Sequence, residues 1–179
     1  MSMKKKYSAG LIFFLFFLFA FPLFAQEPPA TPSGNGGCGA NQAQFDVTGA
    51  KKNGPAAQPE AGKALVYVIE DIAGGPTMRV GMDGSWIGAN KGKSYLFFSA
   101  DPGDHQVCTK WQSGVFKKTA ERMGSATTIT VEAGRVYYLR IQAFQRSERD
   151  WTITIDPVEP AEGEFLVSSS LVSTSRLKK

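Results

Sequence analysis

The chain has 179 residues, of which 20 are Lys or Arg and 16 are Asp or Glu, giving a net charge of +4. Three of the lysines and none of the acidic residues lie in the first 25 positions, so residues 26–179 carry 17 − 16 = +1. That balance excludes a nucleic-acid reader built on a clustered basic face, and one histidine with two cysteines excludes an ordinary four-ligand zinc site.

In chain order the first signal is a leader. Lys4, Lys5 and Lys6 precede an apolar run from Leu11 to Phe24 that ends at Ala25, before Gln26-Glu27-Pro28. The run is shorter than the roughly 20 residues of a membrane-crossing helix, and Pro22 interrupts it. An export signal over residues 1–25, cleaved after Ala25, is therefore expected. The mature chain then has no transmembrane segment and works in the periplasm or outside the cell. Residues 26–62 are rich in Pro, Gly, Ala, Asn and Gln and read as a tether. Phe45-Asp46-Val47 is an alternating island that suggests part of the tether is pinned to a sheet edge.

From Lys63 the period becomes two. Leu65, Tyr67 and Ile69 alternate with Ala64, Val66 and Val68, so both faces are apolar and a central strand is expected. Met78, Val80 and Met82 follow, Asp83-Gly84 reads as a hairpin turn, and Tyr95 to Ser99 is another strand closed by Asp101-Pro102-Gly103-Asp104. Val107, Thr109 and Trp111 form one face of the next strand, with Cys108, Gln106 and Lys110 on the other. Residues 112–124 read as a polar loop or short helix carrying Lys117, Lys118 and Arg122, a solvated group or a contact for anionic envelope polymers. Thr127 to Val131, Val136 to Phe144 and Trp151 to Ile155 complete the series, with Arg146 to Asp150 as a charged turn. The expected fold is all-β, a single sandwich of about seven to eight short antiparallel strands over residues 63–173. A short C-terminal helix is admitted by Phe165, Leu166 and Val172, weakened by Ser168 to Ser170, and residues 174–179 read as a polar basic tail.

Four features bear on chemistry. Cys38 and Cys108, in an exported chain, read more simply as a disulfide than as two unrelated thiols. Gly88 to Ser94 imitates a phosphate-binding loop, but its spacer is one residue short and it leads into a strand rather than a helix. His105 with Asp101 and Asp104 has the residue types of an acid–base site, yet no nucleophile motif accompanies it, and a turn-stabilising histidine is the plainer reading. Trp111 and Trp151 match the inward period of their strands, which leaves Trp86, after a tight turn, as the exposed aromatic. Trp86 with Lys91, Lys93 and His105 is the candidate binding set; no catalytic residue, metal ligand or cofactor is assigned.

The stretches Lys63-Ala64-Leu65-Val66-Tyr67-Val68, Arg79-Val80-Gly81-Met82-Asp83-Gly84, Ile87-Gly88, Pro102-Gly103-Asp104-His105, Cys108 and Gly134-Arg135-Val136-Tyr137-Tyr138 resemble the bacterial domain of unknown function 2846 family. The segment from Val80 to His105 is also similar to PEGA-type surface modules, small β-domains of envelope proteins. The resemblance implies an exported or lipid-anchored envelope protein without an assigned activity, although no lipobox precedes Cys38. The expected function is thus a non-enzymatic binding or structural module of the envelope, whose partner is an envelope protein or glycan. The alternatives are an envelope hydrolase using His105 with Asp101 or Asp104, and a carbohydrate-binding module resting on Trp86.

Overall fold

A computed structural model describes residues 38–39, 43–51, 56–72, 74–112, 123–147 and 150–179. The leader, much of the tether, the basic loop with Lys117, Lys118 and Arg122, and the tip of the charged turn after Arg146 lie outside the described residues. The described elements are β1 (Phe45–Ala50), β2 (Ala64–Glu70), β3 (Thr77–Met82), β4 (Ser85–Lys91), β5 (Ser94–Ala100), β6 (Gly103–Trp111), β7 (Gly124–Val131), β8 (Val136–Ser147), β9 (Asp150–Val158), α1 (Pro160–Ser168) and β10 (Leu171–Leu177).

They form a β-sandwich of two sheets, one of six strands in the order β1-β10-β5-β2-β8-β9 and one of four in the order β4-β3-β6-β7. Every residue of β2 is buried, as its two apolar faces require, because its inner face meets the four-stranded sheet and its outer face lies beneath α1. The inner core joins Val66, Val68, Leu139, Ile141, Ile153 and Ile155 of one sheet to Met78, Val80, Val107, Ile129 and Val131 of the other. Between β3 and β4, Asp83 (φ 50) and Gly84 (φ 80) both take positive φ, the conformation whose twist suits a two-residue hairpin.

Several expectations change. β1 and β10 raise the strand count to ten among the described residues, and β1 pairs antiparallel with β10 from Phe45–Leu177 to Ala50–Val172, so residues 171–177 are a strand between β1 and β5, and 174–177 are not part of a tail. Pairing is mostly antiparallel, but β2 with β8 and β10 with β5 run parallel. The terminal helix spans Pro160–Ser168 rather than reaching Val172, and the hydroxyls of Ser168 and Ser169 donate to the carbonyls of Phe165 and Leu166 at its end. Trp151 is 46 % exposed, not core. Its inward parity holds, but it lies opposite Gln145 at the end of β8, where the last four residues are all exposed and the β8–β9 ribbon has passed the end of the core. Trp111 does pack half-buried against the inner core.

Candidate functional site

Part of the outer face of the four-stranded sheet, over β3, β4 and Cys108, is covered by the chain before β1. Cys38 and Cys108 form a disulfide, with Cα atoms 5.7 Å apart, which fixes the tether to the outward face of β6. Trp86, on β4 opposite Gly81, lies under this strap: the backbone at Gly39 is so close to the indole that a Cβ there would fall 2.6 Å from its Cδ1. The Arg79 guanidinium sits 4.5 Å from the centre of the ring and donates from Nη1 to the Ala43 carbonyl at 2.8 Å. Gln112 then holds the start of β1, accepting from the Phe45 N–H and donating to the Phe45 carbonyl. The half-buried Trp86 therefore serves the protein's own packing.

The expected contact patch does not assemble. Trp86 and Lys91 stand at opposite ends of β4, five residues or ~17 Å apart at strand rise. Lys93 lies beyond Lys91, 3.9 Å from Asp71, which Arg140 also holds while donating to Glu162 of α1. The turns at Asp83-Gly84 and Asp101 to Asp104 come together, joined by His105. Its Nδ1 meets the Asp83 carboxylate and its Nε2 the Asp101 carbonyl, each at 2.7 Å. Both nitrogens face acceptors, an arrangement that favours the doubly donating imidazolium. Burial pulls its pKa down, but the hydrogen bonds to Asp83 and Asp101 and the two nearby carboxylates outweigh that and raise it. Of the two carboxylates in the hydrolase expectation, Asp101 pairs with Lys63 and Asp104 accepts from Thr130, while the carboxylate that meets the His105 ring is that of Asp83.

Glu70, at the end of β2, faces the inner core and is fully buried. Burial pushes its pKa up to about 9, against the lowering effect of the Gly92 N–H that donates to Oε1 at 3.1 Å. It is neutral at pH 7 and lies on the opposite side of β2 from the tyrosines described next.

The outer face of the six-stranded sheet holds an open cleft of about 730 Å³. Neighbouring strands β5, β2 and β8 supply its floor: Tyr95, Tyr67 and Tyr138, the last two stacked with ring centres 5.2 Å apart. One wall is the end of α1 and the turn into β10, through Glu164, Val167, Ser168 to Ser170 and Leu171; Lys51 and Ala56 stand on the other. Burial raises the pKa of all three phenols above the ordinary 10, so each is a hydroxyl at neutral pH. The nearby Tyr67 adds to the rise at Tyr95, while Glu164 and then Tyr67 add to it at Tyr138. Tyr67 accepts from the Ala57 N–H. Tyr95, only 1 % exposed, has a hydroxyl with no hydrogen-bond partner. Sequence reasoning missed this site because an aromatic residue on an alternating strand reads as core. The available signal was that three outward positions at matching registers, Tyr95 two residues from the Tyr67–Phe97 pair and Tyr138 opposite Tyr67, carry tyrosine rather than phenylalanine.

Among the described residues no group of three or more His, Cys, Asp or Glu could hold a metal ion, and no helix is long and apolar enough to cross a membrane. Fold and cleft together define a two-sheet β-sandwich with a hydroxyl-lined recess on one outer face. The chain belongs to the family described as Protein of unknown function (DUF2846), whose model matches residues 60–151. That match takes in the cleft's tyrosine floor and Cys108, whereas the cleft walls and Cys38 lie outside it. No curated protein and no solved structure matched the chain.

Proposed function

We propose that this protein is an exported, non-enzymatic β-sandwich that acts as a binding module of the bacterial envelope and takes its ligand in the tyrosine-floored cleft. The observation that carries the binding reading is the cleft itself, whose volume falls in the usual range of about 300–1,000 Å³ for small-ligand sites and whose floor holds a buried hydroxyl without a partner. Export is supported by the tripartite leader and by the Cys38–Cys108 disulfide, which suits an oxidising compartment. A non-enzymatic role is supported by His105, the single histidine, being engaged through both nitrogens.

One preparation tests both halves. The chain recovered from the periplasm or medium should begin at or near Gln26; recovery only as an intact Met1 form in membranes would overturn export. Titrating the isotope-labelled exported chain with solubilised envelope material should shift amides of β2, β5, β8 and the 160–171 segment. A titration that leaves those amides unmoved would overturn binding at the cleft.

A further inference from the structure

The polar groups of the cleft are of one kind. Tyr67, Tyr95 and Tyr138 on the floor and Ser168, Ser169 and Ser170 on the wall all carry hydroxyls, while the two charged groups, Lys51 and Glu164, are of opposite sign and cancel. Their hydrogen bonds inside the protein fix what each still offers. Ser168 and Ser169 spend their protons on the Phe165 and Leu166 carbonyls, which leaves oxygen lone pairs to accept. Tyr67 accepts from Ala57 and keeps its proton to donate, and Tyr95 has both functions unused. A ligand for this recess must therefore both accept and donate over a short span and gain nothing from net charge. An inorganic anion would meet the serine lone pairs and Glu164, and a cation would meet the phenol protons and Lys51. Ligand hydroxyls satisfy both sets. The side chains of Val167 and Leu171 and the edges of the rings supply apolar area for the C–H faces between such hydroxyls.

Resting on the proposed binding role, we infer that the cleft takes a neutral saccharide unit, with the Tyr95 hydroxyl as the buried group that the sugar completes. Tyr95 acts here as a specificity residue: a buried hydroxyl lacking a partner disfavours the empty state, and one supplied by a ligand favours the filled one.

The test uses the full exported chain with its disulfide intact, titrated with maltose and with the disaccharide of N-acetylglucosamine, and separately with inorganic phosphate and glycine. At least one disaccharide should bind saturably at the cleft amides, with an affinity that changes little between low and high salt. Tyr95→Phe should weaken that binding about tenfold while raising the melting temperature of the free protein by about 2–4 °C, because it deletes a hydroxyl that the free protein leaves unpaired. The opposite signs separate a ligand-reading hydroxyl from a merely structural one. A fall in melting temperature, or unchanged affinity in Tyr95→Phe, would overturn the role of the hydroxyl. Binding of phosphate or glycine in place of both disaccharides, or cleft shifts with envelope material but with neither disaccharide, would overturn the saccharide while leaving the binding role standing. If envelope material also fails to move the cleft, the binding role fails with it.

Discussion

The four-stranded sheet finishes its outer face with a covalent strap, whereas the six-stranded sheet finishes its own with a nine-residue helix. Under the strap Arg79 is 4 % exposed and Trp86 is packed against backbone, so the part of that face over β3 and β4 is taken up by the protein's own packing. Under the helix the fit is partial. Only Gly163 and Leu166 of α1 are buried, Phe165 is turned to solvent, and the cleft opens where the helix ends. A helix this short is marginal alone and depends on its contacts, here Leu166 and the Arg140–Glu162 ion pair. The same sandwich thus carries one face closed by a bond and one closed by a few contacts, and the second is the face with room for a ligand.

The largest expected effect comes from removing the bond. Cys108→Ser opens a closure spanning 70 residues, and the chain-entropy model gives a loss of about 4 kcal/mol. Urea unfolding should show it, and limited proteolysis should cut first before β1, with the amides of the cleft unchanged. Loss of the cleft signals along with the strap would break the contrast, because it would mean that the two faces fold as one cooperative unit.

Glu70 tests the seam between the sheets, which neither cover reaches. An unfolded chain releases this proton near pH 4.5 and the folded one near 9, so stability falls as pH rises through that window. By pH 7 the loss amounts to about 3 kcal/mol at 1.36 kcal/mol per unit. Glu70→Gln should recover most of it at pH 7 to 8 and flatten the curve. His105, whose folded pKa is raised, also contributes stability that is full at low pH and fades as pH rises, and that part of the slope should survive the substitution. An unchanged slope in Glu70→Gln would assign the pH dependence to His105 and other groups.

The smallest effect belongs to the helix. A Cβ on Gly163 would fall 2.1 Å from Cγ of Tyr138, so Gly163→Ala forces α1 away from the floor of the cleft. Overpacking of this kind costs about 1–3 kcal/mol, partly offset by the better helix propensity of alanine at about 1 kcal/mol. Thermal unfolding should show a modest net loss, and amide shifts should be confined to α1 and β8. A more stable Gly163→Ala protein would show that the helix can slide without cost, which would sharpen the contrast between the two covers.

What the sequence made legible follows the physics each pattern reports. The doubly apolar run at 64–69 marked a central strand because burial on both faces leaves no alternation to read. Asp83-Gly84 announced its turn through backbone preference, and the cysteine pair its strap through compartment. Trp151 misled because parity says which way a side chain points but not how far the opposing sheet extends. β10 was hidden because Leu171 to Leu177 carries a largely polar, exposed set of side chains, and the partner along its full length lies more than 120 residues away in β1. The binding set was misplaced for a related reason. Trp86 looked available only while the covering strap, distant in sequence, was left out, and the tyrosines looked like core because their cleft is made by a helix end that no strand pattern foretells.

The position of the disulfide also settles how the domain would carry a mechanical load. Phe45 and Leu177 are paired, so tension applied between the two ends of the β1–β10 pair would part its hydrogen bonds one after another, the weakest way to load a ladder. A pull arriving along the chain from before Cys38 meets the disulfide before it meets β1. It passes through the sulfur bridge to Cys108 in β6, which is flanked on both sides by β3 and β7. A sandwich held from its N-terminal side is thereby gripped by an inner strand instead of by its edge.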